Sequence, residues 1–141
     1  MDTLQAYLDG LSAGAKAERS DDRYLNLGDL IDKLRVCPLN YLINIDNCDG
    51  VGDISSYRGY YEDCAIEPSI EVGNVGSAIS KLEAVLNTEL TGYKGGEYLM
   101  KENTPLWISP YGENAHDRVK GININDDNST VTIETENAYN D

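Results

Sequence analysis

Helical spacing of apolar residues is confined to the first ninety positions of this chain, and that distribution restricts its fold more than any other feature. Leu27, Leu30, Ile31 and Leu34 form one apolar stripe, and Val75, Ala78, Ile79, Leu82, Val85 and Leu86 form a second. Asn26 stands at an N-cap position for the first stripe. Lys33 and Arg35 suit the negative end of that helix, and Pro38 bars its continuation. Asn74 or Ser77 can start the second. A further stretch, 3–17, places Leu4, Leu8, Leu11 and Ala15 at helical spacing, weakened by Gly10 and Gly14.

Elsewhere the pattern is that of strands. The run YLINI at 41–45 is short and β-favouring, and the turn-rich DNCDGVGD after it reads as a loop. SSYRGYYEDCAIEP, 55–68, reads as one extended strand closing before Pro68, with Gly59 as a bulge or close-approach point. GYKGGEYLM and PLWIS are strand-like on either side of KENT, and VKGININ and TVTIET form a hairpin around DDNS. Residues 136–141 are expected to fray. Early and central helices with late strands predict an α+β fold: an antiparallel or mixed sheet with helices packed on one face. A chain of 141 residues fits a single domain over 1–141, with residues 1–25 as an N-terminal helical region.

Charge and cysteine usage narrow the function. A formal net charge of −14 disfavours general binding to nucleic-acid phosphates, which needs a basic face. Residues 122–141 carry five acidic side chains and no basic ones, so the surplus is greatest at the C-terminal end. An anionic ligand remains possible where Arg58, Lys94, Arg118 or Lys120 gather locally. No apolar run is long enough to cross a bilayer and no signal-type leader opens the chain, so neither export nor a membrane is expected. Cys37, Cys48 and Cys64 are odd in number, lack CxxC spacing and have one histidine, His116, as a conceivable co-ligand. Neither a disulfide framework nor a metal or cofactor site is supported, and a reducing cytoplasm fits.

Two segments carry the chemistry. In Ser56-Tyr57-Arg58-Gly59-Tyr60-Tyr61-Glu62-Asp63 a guanidinium sits among three phenols beside a glycine, a combination able to fork onto phosphate and to stack on a base. On a strand, Arg58 shares a face with Tyr60 and Glu62, and Tyr57, Gly59 and Tyr61 share the other. A solvated Arg58–Glu62 ion pair over packed tyrosines accounts for the same residues. In Thr91-Gly92-Tyr93-Lys94-Gly95-Gly96-Glu97-Tyr98, glycines permit close backbone approach, Lys94 adds charge and Tyr93 a stacking surface. Asn103 of the following NTP can pair with an amide-like edge. Lys94 precedes the glycine pair, so this is no phosphate-cradling P-loop, and taken alone the segment is better accounted for by a strand pair with glycine-rich turns. Trp107 reads as core and His116 as a solvated loop residue. The adjacent carboxylates Glu62-Asp63 and Asp126-Asp127 do not resemble a catalytic pair, and no Ser-His-Asp or Cys-His grouping can be assembled. Binding is favoured over catalysis, with a nucleotide-modifying enzyme using Glu62, Asp63 or Glu97, or a structural interaction module, as the alternatives.

SYRGYYEDCAIEP at 56–68, the helix at 74–88, TGYKGGEYLM at 91–100 and NTPLWIS at 103–109, in that order and spacing, resemble a family of small phage proteins. Its best-understood branch is the first type of Thoeris anti-defence protein, and the resemblance covers about residues 26–135. It implies a sponge that binds, without cleaving, the cyclic ADP-ribose isomer made by a bacterial TIR-domain protein. The sponge would act in the cytoplasm of the infected host, as a homo-oligomer built from dimers whose pockets form between protomers. By motif position it implies Arg58 on the ligand's phosphates or riboses, Tyr93 stacked on adenine and Asn103 hydrogen-bonded to base or ribose. Lys94 and Thr104 follow by adjacency, Tyr57 as the neighbour of Arg58, and Arg118 at a pocket rim or second nucleotide site. Some relatives have Phe at the position of Tyr93, which preserves stacking but not the hydroxyl.

Overall fold

The structure, a computed structural model, describes residues 23–46, 48–57, 60–92, 94–109 and 117–138. The helix expected at 3–17, together with Arg58, Gly59, Tyr93 and His116, lies outside them. Helix α1 (Leu27–Arg35) begins at Asn26, whose backbone N–H donates to the Asp29 carboxylate at 3.0 Å. The next two helical N–H groups are also satisfied, Leu27 donating to the Thr104 carbonyl and Gly28 to that of Glu102. Helix α2 (Val75–Val85) is capped by the Asn74 side chain, which accepts from the Ser77 N–H at 2.8 Å. Both stripes read from the sequence are buried: Leu27, Leu30, Ile31 and Leu34 on α1, and Val75, Ala78, Ile79 and Leu82 on α2.

The strands are β1 (Leu42–Ile45), β2 (Gly50–Ser56), β3 (Cys64–Ser69), β4 (Gly73–Asn74), β5 (Glu89–Thr91), β6 (Glu97–Leu99), β7 (Leu106–Ile108), β8 (Asp117–Asn125) and β9 (Thr130–Asn137). Seven make a mixed sheet in the order β2-β3-β7-β8-β9-β1-β4, and β5 and β6 pair separately. The β3–β7 and β1–β9 pairs are parallel and the others antiparallel. The expected α+β class with a mixed sheet therefore holds.

Side-chain alternation assigns the two faces of this sheet. Ile43, Ile45, Cys64, Ile66, Leu106, Ile108, Val119, Val131 and Ile133 form one core with the buried stripes of both helices. Ala65 and Trp107, one position out of phase, belong to a second, smaller cluster with Tyr57. The helices cover one face, as expected, and the aromatic cluster lies on the other.

Five boundary expectations are corrected. Residues 50–53, placed in a loop, belong to edge strand β2. In place of one strand over 55–68, β2 ends at Ser56, residues 60–63 turn and β3 starts at Cys64, because pairing the two strands satisfies more backbone groups than one extended run. Pro68 lies inside β3, opposite Val51, and an extra residue on β2 between Val51 and Ile54 makes a bulge there. Gly92 and residues 94–96 lie between β5 and β6 rather than in a strand, with the Gly95 N–H donating to the Gly92 carbonyl. Glu136 and Asn137, expected to fray, pair with Arg118 and Asp117. Among the described residues no helix is long and apolar enough to cross a membrane.

Candidate ligand-binding site

Strands β3 and β7 run parallel with Cys64 opposite Leu106, so the segments that lead into them emerge at the same end of the sheet. One is the turn at 60–63, which precedes Cys64. The other is the turn at 101–105, which carries Asn103 and Thr104. The Cys64 N–H donates to the Pro105 carbonyl at 3.0 Å and joins the two.

The first turn is pinned from within. Tyr57 N–H donates to the Asp63 carbonyl, Asp63 N–H to the Tyr60 carbonyl, and the Ser56 hydroxyl to the Tyr61 carbonyl at 2.6 Å. Tyr60 and Glu62, expected on one strand face with Arg58, lie in no strand, because β2 ends at Ser56 and β3 begins at Cys64. Tyr57 is 2% exposed, and its ring lies flat on that of Trp107, centroids 4.6 Å apart and 8° from parallel. Tyr60 leans on the same indole at 5.5 Å. Trp107 is core, as expected, and its Nε1–H donates at 2.9 Å to the carboxylate of Asp63, which is fully buried.

Arg118 was expected at a pocket rim. It is 1% exposed, with its guanidinium 5.0 Å from the Trp107 ring and 5.1 Å from that of Tyr24, and its Nε donates to the Leu106 carbonyl at 2.7 Å. The reason is register: Arg118 is the cross-strand partner of Trp107, on the face away from the helices. Tyr57 and Arg118 thus converge on one indole and brace the site from inside. Thr104 is also buried, its hydroxyl oxygen accepting from the Lys101 N–H at 2.7 Å to close the 101–104 turn. Asn103 is exposed on that turn, between two carbonyls tied to the start of α1.

The second glycine-rich motif reaches the same end through two tyrosines. Tyr61 of the first turn and Tyr98 of β6 hold their rings 6.0 Å apart. Gly92 sits against both, since a Cβ there would stand 2.8 Å from Tyr98 Cε2 and 3.3 Å from Tyr61 Cγ. The turn itself needs glycine at Gly95 and Gly96, whose φ values are +99° and +47°. Lys94 is exposed in it, on a different turn from Asn103.

Asp63 has an electrostatic consequence next door. Burial pushes the Cys64 thiol up to about 12, and the negative charge of Asp63 adds to the shift. None of the three cysteines is joined in a disulfide. Among the described residues no cluster of His, Cys, Asp and Glu could hold a metal ion. The sequence reading missed Asp63, Tyr61 and Tyr98 as parts of this arrangement. A carboxylate directly before the apolar run Cys-Ala-Ile was the one local sign that Asp63 turns inward.

The chain matches no protein-family model, no curated protein and no solved structure.

Proposed function

We propose that this chain binds a nucleotide-type signal and withholds it unchanged, the ligand being a TIR-derived cyclic ADP-ribose isomer. The supporting observation is that SYRGYYED, TGYKGGEY and NTP, far apart in sequence, meet at one end of the sheet through the Tyr61–Tyr98 contact and the Cys64–Pro105 hydrogen bond. Asn103 and Lys94 are exposed on turns in two of these segments. That combination suits a flat base carrying anionic oxygens. Arg58 and Tyr93, both outside the described residues, are proposed as the phosphate and adenine contacts. On this reading the protein acts in the cytoplasm of an infected bacterium, and a second copy of the chain completes the pocket.

The test is thermal unfolding with and without purified TIR-derived cyclic ADP-ribose, because a ligand that binds only the folded state raises its stability by mass action. An upward shift is expected, lost in Arg58→Ala and Tyr93→Ala variants that keep the native circular dichroism, with the ligand recovered intact after heat denaturation. Absence of a shift at saturating ligand rejects this signal as the target. Recovery of a cleaved ligand replaces sequestration by catalysis through Glu62, Asp63 or Glu97.

A further inference from the structure

Backbone conformation does not explain the glycine at position 92. Gly95 and Gly96 have positive φ values, which favour glycine, but the φ of Gly92 lies outside that region. What is missing at Gly92 is room for a side chain: it is buried, and a Cβ there would stand 2.8 Å from Tyr98 Cε2 and 3.3 Å from Tyr61 Cγ. Gly96 meets the same tyrosine, its Cβ position lying 3.0 Å from the Tyr98 hydroxyl. Two hydrogen bonds close the turn against that ring, Gly92 N–H to the Gly96 carbonyl at 2.8 Å and Gly95 N–H to the Gly92 carbonyl at 2.9 Å.

Tyr98 stands where the three segments of the candidate site converge. Its strand, β6, follows the turn that carries Lys94 and precedes the turn that carries Asn103. Its ring meets Tyr61 of the 60–63 turn at 6.0 Å, and the Ser56 hydroxyl holds that turn by donating to the Tyr61 carbonyl. The ring is seated against the main core, which fixes its place. A clash with the outer end of such a ring is relieved by swinging the ring, at less cost than moving backbone. A methyl group at 92 therefore displaces Tyr98 and leaves the fold standing.

We propose that Tyr98 is a positioning residue of the ligand site and that Gly92 supplies the space its ring requires: the ring sets where the turn with Lys94 stands relative to Tyr61 and Asn103. This rests on the binding function proposed above. Affinity depends on the ring, and on the empty space at 92, more steeply than folding does.

The experiment compares the wild type with Gly92→Ala, Tyr98→Leu, Tyr98→Phe, the double variant Gly92→Ala/Tyr98→Leu and the control Gly73→Ala, where an added Cβ meets nothing nearer than 3.9 Å. Each is measured for far- and near-ultraviolet circular dichroism and for affinity towards TIR-derived cyclic ADP-ribose by calorimetry. Gly92→Ala and Tyr98→Leu are expected to fold, to change the near-ultraviolet signal and to bind at least tenfold more weakly. Tyr98→Phe should recover most of the affinity that leucine loses. The double variant should bind no more weakly than Tyr98→Leu, since the added methyl then has no ring to displace, and Gly73→Ala should match the wild type. Wild-type affinity in Gly92→Ala or Tyr98→Leu overturns the proposal, as do losses that multiply in the double variant or a phenylalanine that binds no better than leucine. If one of the two single variants does not fold, the other decides together with Tyr98→Phe; unfolding of both overturns the proposal, because folding then depends on the contact as steeply as binding. Failure of the wild type to bind is a different outcome. It removes the binding function itself and this inference with it.

Discussion

The rings of Tyr61 and Tyr98 lie 6.0 Å apart and 35° from parallel, and they join the turn after β2 to the β5–β6 hairpin. Aromatic pairs of this kind contribute about 0.5–1.5 kcal/mol beyond the area they bury. A double-mutant cycle of Tyr61→Ala and Tyr98→Ala should return a favourable coupling in that range by urea denaturation. Additive losses would show that the two turns are mechanically independent.

Gly50 and Gly73 make a matched comparison of glycines in strands. A Cβ at Gly50 would lie 2.0 Å from the Glu71 carbonyl oxygen, a backbone atom that cannot swing aside, whereas at Gly73 nothing comes nearer than 3.9 Å. Gly50→Ala is expected to cost about 1–3 kcal/mol by overpacking, and Gly73→Ala close to nothing. Equal urea midpoints for the two variants would contradict the close pairing of β2 with the segment after β3.

Asn74 ends β4 and caps α2 through its side-chain oxygen. Its replacement by alanine should cost about 1 kcal/mol, and replacement by serine or aspartate should restore most of that, since each supplies an acceptor to the Ser77 N–H. Chemical denaturation of the three variants measures the difference.

Alkaline pH should destabilise the protein from about pH 9 upward. Below that value Cys64 keeps its proton in both states; above it the unfolded chain releases the proton, while the buried thiol holds it until about 12. The folded state then binds more protons, so stability falls as pH rises, by at most about 1.4 kcal/mol per pH unit for this group. Burial also raises Cys37, with the charge of Asp126 contributing, and acts in the same direction. Urea midpoints between pH 7.5 and 10.5 should decline more steeply in the wild type than in Cys64→Ala. Parallel profiles would show that Cys64 titrates normally in the fold.

Much of this architecture is legible in the chain because it is local. The stripes of α1 and α2, the Asn74 cap, strand β1 and the β8–β9 hairpin all follow from spacing over a few residues, where backbone geometry and burial act together. The reading failed where neighbours in space outweighed neighbours in sequence. Gly50–Asp53 has turn chemistry, yet it joins an edge strand because β3 supplies a ladder for it. Residues 136 and 137 look like a loose end but are held by β8.

The candidate site divides the same way. Its residue types, the clustering of tyrosines around Arg58 and the glycines at 95 and 96, are written in the sequence, because stacking, ion pairing and positive φ belong to particular side chains. Which of them face outward was decided only by the tertiary structure. Tyr57 and Arg118 looked like ligand contacts and became internal braces, and Asp63 became the buried partner of Trp107, because strand register and the parallel β3–β7 pair set side-chain direction. Register is a property of paired strands, and no single strand carries it.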